Sequence, residues 1–452
     1  MSCSLTLPAS TVRSTVLAVV AHPDGRRLLS LGGELPALDV LHSVYFGQGV
    51  AADFSRLLGT QLELLRRVHS EKLNDVALHA SGLSLRRVIW TLGLVGHEPD
   101  KAEWTVPADL PPEQRIWALA ALAPIPAARP LWQRPGGQRR LLAWLDAELA
   151  AQERPRTADI EVVKHSQISF LARVPTAAGP LYLKAVPEFF GRELPVTAWL
   201  SRELPGGAPF VLASDSALGA LLLEDAGEPI EVEATGWNGP AAHPERWTLE
   251  DSRALLRHLA RVQRATEMRL PELTELGLPD HGPEYLLERL PTLFEPERLL
   301  EGQPGGLSSA ETQRFVLLRP ALEAALTRLA ASPVPRTLGH GDLHEGNVVV
   351  RDGAFTLIDW SDSSITHPFL DANPRYLVPE AHAEAAAEAY LDAWAGVLPP
   401  EELRALLCDA VLAGEVYRAL GLILGIQPHV EDDSEQGDAH LYHVQALLRM
   451  TV

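Results

Sequence analysis

Apolar and β-branched residues form two short runs late in the chain, Val348 to Val350 and Phe355 to Ile358. Arg351-Asp352-Gly353 joins them, and an Asp-Gly pair between two such runs is a strong signal for a tight hairpin turn. The pattern therefore predicts an antiparallel hairpin. Polar residues just before its first strand and just after its second should then lie side by side.

Further strands are predicted upstream of this hairpin, and helices on both sides of it. Glu161 to Phe170, Leu171 to Val174 and Pro180 to Val186 are runs typical of strands. Residues 228–332 and 379–450 are predicted to be mainly helical, with loops rich in Gly and Pro in the first of these segments. Small strands combined with many helices indicate an α+β fold.

The first 157 residues follow a different pattern. Thr15 to Ala21 and Arg27 to Leu31 predict a hairpin around an Asp24-Gly25 turn. Apolar residues then recur on one face of a helix predicted between Asp53 and His69. After a proline-rich stretch, a second helix is predicted from Gln138 to Gln152.

Composition places the chain among globular proteins. Its 452 residues are 46% hydrophobic, which suffices for a large core and about three domains. Two cysteines, Cys3 and Cys408, are too few for a disulfide framework and lack metal-site spacing. No apolar run reaches the roughly 18 residues that a membrane span requires. We therefore expect a cytoplasmic protein with no membrane partner.

Charge is unevenly distributed along the chain. Residues 1–157 carry a net charge of +2 and the remaining residues −22, within a total of −20. Nucleic acids bind basic surfaces, so we expect no nucleic-acid partner. A cationic or neutral small molecule suits the acidic part better than an anion. The run Glu431-Asp432-Asp433-Ser434-Glu435 is predicted to face such a molecule or, more simply, to be a solvated loop.

The residues that flank the predicted hairpin carry the chemistry. His340-Gly341-Asp342-Leu343-His344-Glu345-Gly346-Asn347 precedes its first strand, and Ile358-Asp359-Trp360 ends its second. Asp342 and Asn347 are five positions apart, and Asp359 follows twelve residues later. Phosphoryl transfer requires such a set, with one carboxylate for the acceptor hydroxyl and oxygen ligands for magnesium.

These motifs resemble the catalytic loop and metal-binding motif of the aminoglycoside phosphotransferase family, the small-molecule branch of the protein-kinase-like superfamily. The family's loop reads His-Gly-Asp-Leu-His-x-x-Asn, which residues 340–347 match at every position. The resemblance implies transfer of the γ-phosphoryl group of ATP or GTP to a hydroxyl of a small molecule, either an aminoglycoside-type antibiotic or a metabolite. It also implies that Asp342 is the catalytic base and that Asn347 and Asp359 hold Mg²⁺.

The resemblance further requires a lysine that binds the nucleotide phosphates and a glutamate that holds the lysine. Lys184 lies in the predicted strand 180–186, and the chain has only four lysines against 35 arginines. Retention of lysine here suits a compact ammonium charge. Glu193 matches the family's helix at the partner position, and Glu203 is the alternative.

Two segments resemble the family's remaining nucleotide contacts. Ser166 and Ser169 lie between the first two strands, where a loop covers the phosphates. No Gly-x-Gly-x-x-Gly pattern occurs there, so backbone amides and serine hydroxyls would make the contacts. Glu224, Asp225 and Ala226 follow an apolar run and resemble the hinge whose backbone pairs with adenine.

The implied architecture is a two-lobed kinase-like α+β fold preceded by an accessory domain. We predict an accessory α+β domain at 1–122, a Pro-rich linker and helix at 123–157, a small lobe at 158–226, and a large lobe at 227–452 that ends in acceptor-binding helices. The opening hairpin is similar to that of Nudix hydrolases. Their glutamate-rich box is missing, so we expect the accessory domain to be catalytically silent.

Two alternative functions stay open. His340, Asp342 and His344 alternate along the chain and would point the same way on a strand, as in the metal cluster of a hydrolase. That alternative leaves Asn347 and Asp359 without a role. The other alternative is a nucleotide-binding pseudokinase with a regulatory role, although all four of the predicted base, metal and phosphate-binding residues are present.

Overall fold

The computed structural model describes residues 11–41, 47, 49–73, 83–99, 103–230, 247–303, 305–432 and 435–450. Cys3, Asp433 and Ser434 lie outside the described residues. The chain divides into two compact units. The first unit comprises residues 1–187, 217–222 and 430–435, and the second comprises residues 188–216, 223–429 and 436–452.

The strands of the described residues are numbered in chain order. They are β1 (Thr11–Val20), β2 (Leu28–Ser30), β3 (Ala37–Val40), β4 (Leu62–Leu73), β5 (Leu83–Leu94), β6 (Glu103–Thr105), β7 (Glu161–His165), β8 (Phe170–Val174), β9 (Leu181–Ala185), β10 (Val211–Asp215), β11 (Ala220–Glu224), β12 (Glu228–Pro229), β13 (Thr337–Gly339), β14 (Val348–Arg351), β15 (Ala354–Leu357) and β16 (Ser364–Thr366).

The α-helices are numbered in the same way. They are α1 (Val50–Leu58), α2 (Pro112–Leu122), α3 (Gly137–Ala151), α4 (Glu193–Glu203), α5 (Leu249–Thr266), α6 (Leu270–Glu275), α7 (Pro283–Arg289), α8 (Pro296–Leu299), α9 (Ser309–Ala331), α10 (Ala383–Leu391), α11 (Pro400–Leu420) and α12 (His440–Met450). A π-helical stretch, Gly421–Ile426, continues α11.

The N-terminal sheet of the first unit has strands in the order β3-β1-β5-β4, with β1 and β5 parallel. Side chains on alternate positions of β1 enter two separate cores. Val16, Ala18 and Val20 pack with Phe54 of α1. Leu17 and Val19 belong to the core that contains Ala118 of α2. Cover on both faces explains the unbroken apolar run of β1.

The turn predicted at Asp24-Gly25 is confirmed, because Ala21 and Leu28 pair as an antiparallel bridge, but β2 then pairs with β6 rather than with β1. The helix predicted between Asp53 and His69 is wrong beyond Leu58. That helix ends at Gly59, whose φ of 66° is left-handed, and β4 begins at Leu62. Register shifts make β4 irregular, so a short helix followed by a bulged strand imitated the spacing of one long helix.

A second sheet of the first unit contains β11, β9, β8 and β7, which follow one another in that order. β7 is antiparallel to β8, and β8 is antiparallel to β9. β7 ends at His165, whereas the predicted strand continued to Phe170. The Ser166 amide donates to the Ser169 carbonyl at 2.9 Å and closes a turn there.

The second unit is mainly helical and contains the predicted catalytic hairpin. β14 pairs with β15, with Val348 opposite Leu357 and Arg351 opposite Ala354, which confirms the hairpin. β12 joins its other side, and β13 pairs with β16. One apolar cluster runs from α5 and α9 to α11 and α12 and includes Leu343 of the catalytic motif. These elements confirm the predicted α+β class.

No helix of the described residues combines the length and the apolar character needed to cross a lipid bilayer.

Candidate active site

The loop between β13 and β14, residues 340–347, is called the catalytic loop below. Buried Asp371 holds its first turn, because its carboxylate accepts the His340 amide at 2.5 Å and the Gly341 amide at 3.0 Å. Gly341 has a φ of 87°, and a Cβ there would lie 2.3 Å from the Asp362 carbonyl oxygen. The loop therefore requires glycine at this position and a carboxylate at 371.

Both histidines of the motif serve the backbone. His340 Nε2 lies 2.8 Å from the Ile358 carbonyl oxygen, and its Nδ1 accepts the Asp342 amide at 3.4 Å. His344 Nδ1 accepts the Gly346 amide at 3.1 Å. With both ring nitrogens of His340 so engaged, a metal cluster built on this residue is disfavoured. In the described part of the chain, moreover, no three His, Cys, Asp or Glu side chains group as a metal cage.

Asp342, Asn347 and Asp359 are brought together as the motifs predict. The Asn347 side-chain amide donates to the Asp342 carbonyl at 2.8 Å, and the Ile358 amide donates to the Asn347 carbonyl at 3.0 Å. Asp359, the next residue, has a left-handed φ of 67°, a strained conformation that proteins retain mainly at functional positions. The Asp342 side chain is 49% exposed, so a substrate can reach its carboxylate.

Acidic groups concentrate beside this trio. Ser361 Oγ lies 2.7 Å from Glu193 Oε2 and 2.8 Å from Asp359 Oδ1, and its single proton can serve only one of them. Burial, and then the negative charges of Asp342 and Asp359, raise the pKa of Asp362 to about 7. Carboxylate oxygens thus gather around Ser361, which suits a cation.

Arg418 on α11 is a site residue that the motifs did not reveal. Its Nη1 donates to Asp342 Oδ1 at 2.8 Å, and its side chain is only 6% exposed. Burial acts to lower the pKa of Arg418, but the charge of Asp342 and the nearby Tyr376 and Glu415 outweigh burial and raise it. The available signal was a charged residue inside the apolar run Val416 to Leu420.

Glu193 begins α4 and is buried at 2% exposure. Its Oε2 contact with Ser361 places it beside Asp359. Glu203, the alternative partner for the lysine, ends α4 at an exposed position, where its carboxylate binds Arg269 at 3.1 Å. Glu193 is thus buried and Glu203 exposed, and the choice between them as the partner of the lysine stays a prediction.

Lys184 belongs to the first unit. It lies on β9 opposite Leu171 of β8, and it is buried at 6% exposure. Burial of a lysine is costly unless its charge is compensated, and lysines are seldom buried. Its surroundings distinguish it from an ordinary solvated lysine.

The turn at residues 166–169, called the serine loop below, has its polar groups in internal hydrogen bonds. Ser166 Oγ accepts the Ser169 amide at 3.1 Å and lies 3.2 Å from the Ser169 carbonyl oxygen. The Ser166 carbonyl accepts Trp132 Nε1 at 2.8 Å, and the Gln167 amide donates to Glu435 at 2.8 Å. Phosphate binding by this loop stays a prediction, and these bonds compete with it.

The partner of the serine loop is the acidic segment, residues 430–435, which belongs to the same unit. Arg129 donates to both Glu431 carboxylate oxygens at 2.7 and 2.8 Å, and Arg66 also contacts Glu431. Gln167 bonds both the Glu431 and the Asp432 amides through its side-chain oxygen. Glu431 is only 8% exposed and Glu435 only 4%.

The expectation of a solvated loop is therefore wrong for Glu431 and Glu435. Arginines of the N-terminal part bind these carboxylates and keep them buried. Because the two carboxylates are paired in this way, they are not presented to a cationic acceptor. Composition alone cannot distinguish an acidic segment in water from one paired with distant arginines.

The predicted hinge, Glu224 to Ala226, lies in the second unit. The strand that leads into it, β11, begins in the first unit. The Glu224 amide donates to the Phe210 carbonyl at 2.9 Å, and Asp225 binds Arg351 of the catalytic hairpin at 2.7 Å. Gly227, with φ 127°, packs so closely that a Cβ would lie 2.3 Å from the Val350 carbonyl oxygen. The hinge is thus anchored to the hairpin, and the Glu224 amide is engaged internally.

Comparisons with known proteins bear on the identity of this site. No curated protein sequence matches the chain significantly. Among solved structures, a macrolide 2′-phosphotransferase from Brachybacterium faecium has 18% identity and a TM-score of 0.46, over 68% of this chain and 98% of that one. A choline/ethanolamine kinase family protein from Mesorhizobium loti has 15% identity and a TM-score of 0.45, over 68% of this chain and 95% of that one.

A spectinomycin phosphotransferase, solved with ADP and spectinomycin, has 10% identity and a TM-score of 0.43, over 69% of this chain and 94% of that one. The sequence profile of the phosphotransferase enzyme family (APH) matches residues 94–406, which is more than half of the chain. The family predicted from the catalytic loop is thereby confirmed, and the chain belongs to the phosphotransferase enzyme family.

Proposed function

We propose that this protein transfers the γ-phosphoryl group of a nucleoside triphosphate to a hydroxyl of a small molecule. The observation that carries the proposal is the convergence of Asp342, Asn347 and Asp359 on one buried scaffold with the Asp342 carboxylate half-exposed. Positioning and electrostatic stabilisation supply most of the catalysis in phosphoryl transfer, so a rigid loop with one accessible carboxylate suits this reaction.

In the proposed reaction, the acceptor hydroxyl lies against the Asp342 carboxylate. The hydroxyl oxygen forms a bond to the γ-phosphorus, and the bond from that phosphorus to the β,γ-bridging oxygen breaks. The hydroxyl proton moves to Asp342, and the nucleoside diphosphate leaves with the electron pair of the broken bond. Asp342 is thus the general base, and the catalytic loop keeps its carboxylate in place.

Asn347 and Asp359 fit a magnesium ion. Asn347 donates its amide protons towards the Asp342 carbonyl, which leaves its side-chain oxygen as the ligand atom. Asp359 lies in the acidic cluster around Ser361, and carboxylate oxygens are the ligands that magnesium prefers. Magnesium commonly takes one or two protein ligands and completes its shell with phosphates and water, so a full protein cage is not needed. When bound, the ion would neutralise phosphate charge.

Nucleotide contacts are proposed from the family pattern. Lys184 would bind the phosphates, Glu193 would hold the lysine, and the backbone of Glu224 to Ala226 would meet the base. The family pattern also predicts that Ser166 and Ser169 contact phosphate, and the internal hydrogen bonds of their loop compete with this contact. The nucleotide can be ATP or GTP, and the acceptor an aminoglycoside-type antibiotic or a metabolite.

The test is a screen of the purified full-length protein with ATP or GTP, magnesium and a panel of hydroxyl compounds. The panel includes aminoglycosides, macrolides, sugars and amino alcohols, and the readouts are nucleoside diphosphate release and product mass. We expect one acceptor class to be phosphorylated by the wild type, with activity lost on chelation and restored by magnesium or manganese. Stoichiometric zinc in the purified protein would instead support the hydrolase alternative.

One observation favours a second candidate function. The serine loop is held by the acidic segment, so its groups are engaged before any nucleotide binds. A nucleotide-binding pseudokinase with a regulatory role would be consistent with such an arrangement. Titration of nucleotide in the presence of every acceptor distinguishes the two, since saturable binding without any phosphorylated product supports the regulatory alternative.

A further inference from the structure

The proposed base has a buried cationic partner that lies outside both catalytic motifs. Arg418 Nη1 is 2.8 Å from Asp342 Oδ1, and 76 residues separate the two in sequence. The arginine side chain is 6% exposed and the aspartate side chain 49%. The guanidinium therefore approaches Asp342 from the protein interior, while the carboxylate faces the solvent side.

Arg418 is itself held at two further points. Its Nη2 donates to the Leu343 carbonyl at 2.5 Å, and its guanidinium carbon lies 4.7 Å from the centroid of the Tyr376 ring. Tyr376 is fixed in turn, because its hydroxyl donates to Glu415 Oε2 at 2.9 Å. A guanidinium anchored at a carbonyl, a carboxylate and an aromatic face has little freedom left.

The helix that carries Arg418 is packed tightly against the loop's own support. A Cβ at Gly414 of α11 would lie 2.8 Å from the Leu370 carbonyl oxygen, next to Asp371. The Tyr417 hydroxyl lies 2.7 Å from Ser364 Oγ on β16. α11 then continues into the π-helical stretch 421–426, a distortion that often accompanies functional sites. The orientation of Arg418 is therefore set by the core of the second unit.

We propose that Arg418 is a positioning residue that binds Oδ1 of Asp342 and thereby presents Oδ2 to the acceptor hydroxyl. The neighbour on the Oδ2 side is His344 Nε2, at 3.8 Å, which is too long for a hydrogen bond. Oδ2 is then the atom that takes the proton while the new oxygen–phosphorus bond forms and the bridging bond of the nucleotide breaks. The inference deepens the proposed function and rests on it.

Substitutions at Arg418 test this role by separating kcat from KM. Arg418→Met is expected to lower kcat by about 10- to 100-fold, the scale of a misplacement of about 1 Å, with both KM values within about threefold of wild type. Arg418→Lys should recover part of kcat, since an ammonium can reach Asp342 but cannot also make the planar bond to Leu343. Added methylguanidine should raise the kcat of Arg418→Ala, a rescue that a merely structural role would not produce.

The matched control is Arg328→Met. Arg328 binds Asp409 of the same helix, α11, through two bonds of 2.7 and 2.6 Å, and it does not contact the catalytic loop. We expect its kcat to equal that of the wild type. A wild-type kcat in Arg418→Met, or an equal loss in the Arg328 control, would overturn the inference.

A measurement that is independent of turnover separates this inference from the proposed function. A double-mutant cycle for unfolding, built from Asp342→Ala and Arg418→Met, should be non-additive, with the double variant less destabilised than the two single losses together predict. Additive losses would show that the pair does not form and would reject the inference alone. Non-additive losses, together with a wild type that phosphorylates no acceptor, would support the contact between Arg418 and Asp342 and reject the proposed function.

Discussion

The catalytic loop and the serine loop use their polar groups in opposite ways. In the catalytic loop, Asp371 and the histidines bind the backbone, and Arg418 binds one carboxylate oxygen, which leaves the Asp342 side chain half-exposed. In the serine loop, the amides and Ser166 Oγ bond to the loop itself or to Glu435. The catalytic loop thus exposes a reactive carboxylate, whereas the polar groups of the serine loop are already hydrogen-bonded within the protein.

The contrast separates two kinds of motif evidence. The catalytic loop was recognised from residue types that the chemistry itself requires, namely a carboxylate and two metal ligands at defined spacing. The serine loop was recognised only from its place in the chain and from residues that can contact phosphate. Because serine hydroxyls and backbone amides bond readily within turns, the second kind of signal is weak.

The largest effect is expected at Asp342, where Asp342→Asn should lower kcat by about 10²- to 10⁴-fold, the usual contribution of a general base. The amide keeps the shape and the Arg418 contact can persist through its oxygen, so nucleotide affinity should change little. The measurement is kcat and KM with the acceptor found in the screen. Asp352→Asn, at the exposed turn of the same hairpin, is the control, since asparagine tolerates the φ of 52° there. Near-normal turnover in Asp342→Asn would refute the assignment of the base.

The buried pair of Glu431 and Arg129 should give the next largest effect. Glu431→Gln removes the carboxylate that binds Arg129, which is 8% exposed, and leaves Arg66 with Asp432 alone, so it should cost about 3 kcal/mol of unfolding free energy. Urea unfolding measures this loss. The KM of the acceptor should stay unchanged, because the carboxylate is paired with arginines rather than presented to a substrate.

Asp146→Asn provides a matched comparison for that loss. Asp146 also binds an arginine, Arg156, through two bonds of 2.7 and 2.9 Å, but it is 49% exposed. Exposed pairs of this kind contribute about 0 to 1 kcal/mol. Equally small losses in Glu431→Gln and Asp146→Asn would mean that the acidic segment is solvated after all, as its composition suggested.

A smaller effect is expected in the serine loop. Ser166→Ala removes the acceptor of the Ser169 amide in a buried turn and should cost about 1 kcal/mol of unfolding free energy. The nucleotide KM should stay within about twofold, because the hydroxyl is already bonded internally. Ser201→Ala, whose half-buried hydroxyl bonds the Ala198 carbonyl on α4, should lose less than about 0.5 kcal/mol. A several-fold rise in nucleotide KM at unchanged stability would return Ser166 to the phosphate site.

Local patterns account for what the sequence predicted well. The hairpin of β14 and β15 and the helix α3 are each determined by a continuous segment of about ten residues or slightly more, and the structure confirms both. The catalytic trio lies within 18 residues of chain, and its spacing reflects the hairpin that joins its members. Short-range geometry and chemical requirement coincide there, so the sequence suffices.

Long-range pairs account for what the sequence did not reveal. Arg418 lies 76 residues from Asp342, and Glu431 lies 302 residues from Arg129. No periodicity connects such positions, and only a charge inside an apolar run, as at Arg418, hints that a buried partner exists. The bulged strand β4 was missed for a related reason, because its irregular register follows from pairing with β5.

Glu435 offers the finest test of the contrast, through the dependence of stability on pH. Burial raises the pKa of Glu435 above its ordinary value of 4.5, although Arg67 opposes this. The unfolded chain therefore loses this proton first, and wild-type stability falls as pH rises from about 4.5 through the folded pKa. Glu435→Gln has no proton to lose and keeps an oxygen for the Gln167 amide.

The stability of the variant relative to wild type should then increase over that pH range and level off above it. Urea unfolding of both proteins between pH 4 and 8 measures the difference, and a difference that is constant with pH would place Glu435 in water and remove the buried contact that distinguishes the serine loop from the catalytic loop.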